Sequence, residues 1–121
     1  MRTILVAALT FALAAQAHAA GNAANGKDVF TRCAICHSST KGAPNQIGPN
    51  LFGVVGRKAG SKADYNYSGA MKSFGKVWTP QLLDVYLTHP QAVVAGTKMS
   101  FAGISNAGQR ADVIAYLQTL K

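Results

Sequence analysis

Residues 33–37 read Cys-Ala-Ile-Cys-His, and this short stretch decides how the rest of the chain is interpreted. The C-x-x-C-H pattern is typical of covalent haem attachment. On a helix, Cys33 and Cys36 lie on one face, where their thiols can form thioethers with the two vinyl groups of one porphyrin. His37 follows directly, so its imidazole can ligate the iron of the same ring. The stretch therefore predicts one haem c, bound through Cys33 and Cys36.

Two other chemistries use cysteine pairs with this spacing. A thiol–disulfide redox site is found in a thioredoxin-like α/β fold, and no predicted strand precedes this motif. A zinc site needs four ligands and usually a second cysteine pair, whereas the sequence has no third cysteine. Both alternatives fit the sequence less well than haem attachment.

The N-terminal residues have the pattern of a secretory signal peptide. Arg2 gives a positive start, residues 4–15 are apolar, and residues 17–19 read Ala-His-Ala, a small-residue cleavage site. The apolar run is shorter than the roughly 20 residues that a membrane span needs. We therefore expect cleavage near Ala19 or Ala20 and export to a bacterial periplasm.

Length and charge narrow the class of protein further. The 121 residues allow one domain, predicted over 20–121 after removal of the signal peptide at 1–19. With 12 Lys+Arg and 4 Asp+Glu, the formal net charge is +8, which implies anionic partners. Nucleic acid is a poor candidate because the protein is exported and its lysines are scattered. No later stretch is apolar enough for stable insertion into a membrane.

Periodicity and capping residues predict an all-α fold with few helices and long loops. We expect helices over about 25–38 and 68–74, one that begins at Thr79-Pro80 and ends at His89-Pro90, and a last one capped by Ser105 or Asn106. Glycine and proline punctuate 40–66, and 91–105 is a second loop. Such long loops need something to wrap around.

The residues alone leave the sixth position on the iron open. The candidates are His89, Met71 and Met99. His89 precedes a proline at a helix end, and Met71 lies in a short helical segment where methionine is more often core filler. Met99 lies in a glycine-led loop that can bring a thioether to the iron.

The sequence strongly resembles the class I cytochromes c, close to the mitochondrial type and its short bacterial relatives. The resemblance covers 26–120 and implies the cytochrome c fold, with about four to five short helices wrapped around one haem. It is carried by Cys33–His37, Gly48-Pro-Asn-Leu-Phe-Gly53, Gly56-Arg-Lys58, Tyr65-Asn-Tyr67, Trp78, Tyr86-Leu87, Pro90, Gly96-Thr-Lys-Met99, Arg110-Ala-Asp112 and Ile114-Ala-Tyr-Leu117.

The resemblance also implies a role for individual residues. Met99 would be the second metal ligand beside His37, with Tyr86 near its sulfur. The carbonyl of Pro49 would accept a hydrogen bond from His37. Further cofactor-binding residues would surround the propionates: Arg57, Tyr67, Trp78 and Thr97. Phe101 would cover the exposed haem edge, and Gly26 and Phe30 would cross the last helix near Val113 and Tyr116.

The sequence departs from the family at two places. Lysines that surround the haem edge in the mitochondrial type are replaced by Asp28, Gln91, Ala92, Ser105 and Asn106, whereas Arg32 and Lys98 remain basic. The docking face is therefore less basic. Met71 replaces a polar residue, from which we expect a drier pocket beside the second ligand.

A haem with both axial positions filled by protein leaves no place for a substrate. We therefore predict a soluble, monomeric, periplasmic one-electron carrier, not an enzyme. Its partners would be acidic faces of redox proteins: a cytochrome bc-type complex, a terminal oxidase, a reaction centre or a periplasmic dehydrogenase or reductase. The alternative is a haem enzyme or gas-binding cytochrome, such as a peroxidase-like protein, with an open or labile sixth position.

Overall fold

The computed structural model describes residues 21–121, so the predicted signal peptide and its cleavage site lie outside the described residues. This range contains five α-helices: α1 (Ala23–Val29), α2 (Gly69–Phe74), α3 (Pro80–Thr88), α4 (Pro90–Val93) and α5 (Ala107–Gln118). Its β pairing is limited to an isolated bridge between Lys58 and Val77. The all-α prediction is confirmed.

Side chains at the helix starts explain why three of these helices begin where they do. Ser68, Thr79 and Asn106 each accept a hydrogen bond from the backbone N–H three residues later, at 3.0, 3.1 and 2.9 Å. These bonds satisfy N–H groups that have no partner within the helix. Asn106, rather than Ser105, is the cap of α5.

The first and last helices cross at Gly26. A β-carbon at Gly26 would collide with the carbonyl of Asp112 in α5, so only glycine permits this approach. Nearby, the rings of Phe30 and Tyr116 lie 5.2 Å apart. The expected contact between the two helices is confirmed.

The predicted helix over 25–38 is wrong in its bounds. The α-helix ends at Val29, a 3₁₀ turn follows over Phe30–Arg32, and turns continue to Cys36. The N–H groups of Cys33 and Cys36 bond carbonyls three residues earlier, at 2.8 and 3.0 Å, which tightens the chain.

The predicted loop over 91–105 also contains a helix. α4 follows α3 after one residue, because Pro90 both stops the first helix and suits the first turn of the next. Beyond it, Gly103 has φ +103° and approaches the backbone of Thr88, where a β-carbon would clash. The N–H of Ile104 donates to Leu87 O at 2.8 Å and joins the loop to α3.

The core lies between α3, α5 and the loops. Its buried apolar side chains are Phe30, Val54, Ala59, Trp78, Leu83, Tyr86, Leu87, Val94, Ile104, Val113, Ile114 and Leu117. Several of them pack against one another and also line a cavity. The core therefore surrounds a cavity, and that cavity is the candidate site.

Candidate cofactor site

A cavity of about 760 Å³ opens between the Cys33–His37 turn and the loop that carries Met99. This volume is within the range of cofactor and small-molecule sites, about 300–1,000 Å³. All ten predicted site residues line it: Cys33, Cys36, His37, Pro49, Arg57, Tyr67, Trp78, Tyr86, Thr97 and Met99. The structure thus brings together residues that are up to 66 positions apart in the chain, Cys33 to Met99.

The two cysteines lie on one turn of backbone. The N–H groups of Cys36 and His37 both donate to the carbonyl of Cys33, at 3.0 and 2.9 Å. Both cysteine side chains and the imidazole of His37 line the cavity. Neither cysteine is in a disulfide, so both thiols are available for thioether bonds.

The surroundings of Cys33 do not favour a nucleophilic thiol. Burial raises the pKa of Cys33 above its ordinary value, and the charge of Arg32 only partly opposes this. Reactive redox thiols have a lowered pKa instead. Within residues 21–121, no three His, Cys, Asp or Glu side chains converge as ligands of a zinc ion would.

The imidazole of His37 is fixed in orientation. Its Nδ1 lies 2.7 Å from the carbonyl oxygen of Pro49; since a carbonyl can only accept, Nδ1 must carry the proton. Nε2 therefore presents its lone pair, as in histidines that bind metals. Gly48 makes room for the ring, because a β-carbon there would lie 2.7 Å from Nδ1.

Burial also favours the neutral form of His37. It lowers the pKa of His37, although the hydrogen bond to Pro49 acts in the opposite direction. A histidine must be neutral to ligate a metal. The site therefore offers an oriented, unprotonated nitrogen next to two thiols.

Three side chains position Met99, which lines the same cavity. The Tyr86 hydroxyl donates to its sulfur at 3.6 Å, Thr97 Oγ1 accepts from its N–H at 3.2 Å, and Gln91 Nε2 donates to its carbonyl at 2.6 Å. Burial raises the pKa of Tyr86, with Thr97 opposing it, so the hydroxyl stays protonated and can donate.

The other two candidates for the sixth ligand are placed differently. His89 is exposed and lies outside the cavity lining, whereas Met71 is half-buried and lines the cavity. Two thioethers therefore reach the cavity. Of these, Met99 has a hydrogen-bond donor at its sulfur.

Part of the cavity lining is polar. Arg57 donates to the carbonyls of Phe52 and Asn50, at 3.3 and 3.1 Å, and burial lowers its pKa. The antiparallel bridge places Trp78 beside it, since Trp78 N–H donates to Arg57 O at 2.9 Å. Tyr67 lies at the same cavity. A half-buried guanidinium with aromatic donors is suited to carboxylates.

Two further residues organise the site without having been predicted as cofactor-binding. Asn50 is 4% exposed, and its Nδ2 donates to the carbonyls of Thr40 and Ala43 at 2.8 and 2.9 Å, which closes the loop next to Pro49. Gln91, noted in the sequence only as a missing lysine, fixes the backbone of Met99. No short-range pattern reveals either role.

The donor set fits a haem. Two thiols, an oriented imidazole, a thioether and a guanidinium line one mainly apolar cavity. These groups would suit the parts of haem c: the vinyls, the two axial positions and the propionates.

Comparison with known proteins identifies close relatives. The family model described as "Cytochrome c" matches residues 23–121. The chain is 48% identical over 121 residues to cytochrome c2 of Rhodomicrobium vannielii, which covers 98% of this chain and 97% of the relative. Cytochrome c2 of Rhodopila globiformis is 50% identical over 102 residues, or 84% of this chain and 95% of the relative.

A solved structure shows the same fold. Cytochrome cH from Methylobacterium extorquens superposes with a TM-score of 0.76 at 46% identity. The match covers 82% of this chain and 99% of that chain. Within residues 21–121 there is no helix with the length and hydropathy needed to cross a membrane.

Proposed function

Because the chain belongs to the cytochrome c family, we propose that it is a periplasmic electron carrier whose haem iron is ligated by His37 and Met99. The family carries one haem c attached through two cysteines, and Cys33 and Cys36 are the two cysteines of this chain. The haem supplies one-electron exchange at its iron. The chain's side chains hold the haem, set its potential and restrict access to it.

One observation carries the proposal: His37 and Met99 line the same cavity, and each is positioned by its own hydrogen bond, from Nδ1 of His37 to Pro49 O and from Tyr86 to the Met99 sulfur. A haem iron held by both of these side chains would have no site left for a substrate. A thioether is a soft ligand that favours the ferrous iron and raises the potential. This favours electron transfer over catalysis.

The polar residues that line the cavity support the same proposal. Arg57, Tyr67, Trp78 and Thr97 all line it and would supply a cation and hydrogen-bond donors to the propionates. Buried carboxylates need such partners, because an unpaired buried charge is costly. These four residues would orient the ring within its plane.

The leader-like pattern of the N-terminal residues and the net charge support a periplasmic location and acidic partners. We assign residues 1–19 to a signal peptide cleaved near Ala19 or Ala20 and residues 20–121 to a single, monomeric domain. A formal charge of +8 before cleavage suits acidic faces of redox proteins, such as a cytochrome bc-type complex, a terminal oxidase, a reaction centre or a periplasmic dehydrogenase or reductase. Mass spectrometry of the periplasmic protein should show the loss of the leader and the added mass of one haem.

The ligand assignment has a direct spectroscopic test. The oxidised protein should show the weak thioether-to-iron charge-transfer band, and the ferrous protein should bind carbon monoxide poorly at neutral pH. Met99→Leu should abolish the band and open the iron to carbon monoxide. Met71→Leu and His89→Ala are matched controls that should leave both properties unchanged.

The same experiment identifies the alternative. If the wild-type protein lacks the band and its ferrous form binds carbon monoxide readily, the sixth position is open, and a peroxidase-like or gas-binding cytochrome replaces the carrier. If Met71→Leu rather than Met99→Leu abolishes the band, the proposed electron-carrier function is retained, but the assignment of Met99 as the ligand is wrong.

A further inference from the structure

Two large aliphatic side chains stand exposed at the cavity mouth. Ile35 is 75% exposed and Ile47 is 76% exposed, and both line the cavity. Single exposed aliphatic residues are common on protein surfaces, but this pair is brought together. Gly48 N–H donates to Cys36 O at 2.8 Å, and each isoleucine directly precedes one of these two residues. We call Ile35 and Ile47 the isoleucine patch.

The isoleucine patch is held in place from both sides. Ile35 lies within the turn that the carbonyl of Cys33 closes by accepting from Cys36 and His37. The backbone of Ile47 is fixed by the Tyr65 hydroxyl, which donates to Ile47 O at 2.7 Å. A surface that is ordered before binding loses little entropy when a partner covers it.

Arg32 and Lys98 are two basic residues that line this cavity, and each has a partner within the chain. Arg32 Nη2 donates to Gln109 Oε1 at 3.3 Å. Lys98 Nζ donates to the carbonyl of Asn66 and lies 5.5 Å from the ring centroid of Tyr65. Positive charge therefore lies beside the isoleucine patch, and the patch itself is apolar. An apolar centre with a charged rim is the usual anatomy of a protein interface.

We propose that Ile35 and Ile47 form the apolar centre of the face through which this protein docks, and that the partner is a redox protein with an apolar surface ringed by carboxylates. The inference rests on the proposed electron-carrier function. The net positive charge brings the partner to this face, whereas burial of the two isoleucines slows dissociation. The complex should therefore retain an attraction that salt does not screen.

The test measures oxidation of the ferrous holoprotein by membranes of its source organism, at several protein and salt concentrations. The variant Ile35→Ser/Ile47→Ser should raise KM roughly tenfold, as expected for losing part of the buried area of two aliphatic side chains. The slope of log KM against log salt should stay as in the wild type. Because both positions are exposed, the variant should keep the wild-type absorbance spectrum and unfolding midpoint.

Val85→Ser is the matched control. Val85 is 57% exposed in α3 and lines a separate groove between α3 and α5. The same loss of an exposed aliphatic side chain there should leave KM unchanged. An equal rise in KM for Val85→Ser would show that the effect is not specific to the isoleucine patch and would overturn the proposal.

The remaining outcomes separate this inference from the proposed function. If the wild-type protein exchanges no electrons with the membranes, the carrier function fails, and the docking inference fails with it. If the wild type is active and the double variant keeps its KM, only the docking inference is overturned. Two further results would overturn the docking inference. One is that the wild type binds protein-free vesicles of the extracted lipids and the double variant does not. The other is that sedimentation shows a dimer for the wild type and a monomer for the double variant.

Discussion

The hydroxyl of Tyr86 donates a hydrogen bond to the thioether sulfur of Met99, with 3.6 Å between the two atoms. Tyr86 is 5% exposed within α3, whereas Met99 lies in the loop that follows α4. Methionine side chains are flexible, and this hydrogen bond holds the Met99 side chain against α3. A hydrogen bond at the sulfur also withdraws electron density from it, which weakens its donation to a bound metal.

Tyr86→Phe should therefore lower the reduction potential. Without the donor, the sulfur becomes a better ligand and stabilises the ferric form relative to the ferrous form. A bond worth about 0.5–1 kcal/mol corresponds to roughly 20–40 mV for one electron. A spectroelectrochemical titration measures this shift. Tyr116→Phe is the control, since that hydroxyl bonds Ser39 instead; a potential that rises in Tyr86→Phe contradicts the interpretation.

The close crossing of α1 and α5 predicts that replacing Gly26 by alanine costs much more stability than the same change at Gly69. Gly26→Ala should destabilise the protein by about 2–4 kcal/mol, because the β-carbon meets the backbone of Asp112, which cannot move without shifting α5. Gly69→Ala, at the start of α2, meets nothing within 4 Å and should be neutral or slightly stabilising. Denaturant unfolding of both variants checks this, and equal stabilities would refute the close-packed crossing.

Local patterns were sufficient to predict much of the fold. The cap Thr79 and the proline that follows it determine the start of α3 through local contacts, so the sequence predicts this start directly. The shift from α-helix to 3₁₀ turn after Val29 could not be predicted in this way. This change of helix type depends on how the Cys33–His37 segment packs within the folded chain. The spacing of apolar residues does not predict that packing.

The site shows the same division. Cys33, Cys36 and His37 lie within five residues of the chain, so their spacing alone indicates haem attachment. Met99 was assigned as a ligand by resemblance, because whether its side chain reaches the same cavity as His37 depends on long loops. Asn50 could not be found at all, since nothing in a glycine- and proline-rich loop tells which asparagine turns inward.

Asn50→Ala should therefore lower the free energy of unfolding substantially. It leaves the carbonyls of Thr40 and Ala43 without their donor and removes the acceptor of Phe52 N–H, at 2.8 Å. Such losses cost about 2–3 kcal/mol in total. Asn66→Ala is the control, because Asn66 is exposed and its contact with Lys98 uses the backbone carbonyl; chemical denaturation should show less than about 0.5 kcal/mol for it. Similar costs for both would mean that the loop does not depend on Asn50.

The two ion pairs of the described residues should contribute different amounts to the free energy of unfolding. Arg110 is 12% exposed, pairs with Asp84 at 2.9 Å and also donates to the carbonyls of Ile104 and Ser105. Arg110→Met keeps the stem but should cost about 1–3 kcal/mol, since it leaves backbone acceptors unpaired between α3 and α5. Lys62→Met breaks an exposed pair with Asp64 and should cost under about 1 kcal/mol. Thermal unfolding ranks the two, and the reverse order would contradict this account.

The cavity predicts that the fold depends on its haem. Without the haem, the apolar side chains that line this cavity would face water instead of the ring. Each large apolar side chain left uncovered costs about 1.5–3 kcal/mol, so a few of them offset the 5–15 kcal/mol that typical domains possess. The variant Cys33→Ala/Cys36→Ala, freed of haem, should therefore lose most of its helical circular dichroism. Adding haemin is the control, because recovery of the helical signal assigns the loss to the cavity rather than to the two thiols. A haem-free double variant with wild-type helicity and a cooperative unfolding transition would show that the protein core alone maintains the fold.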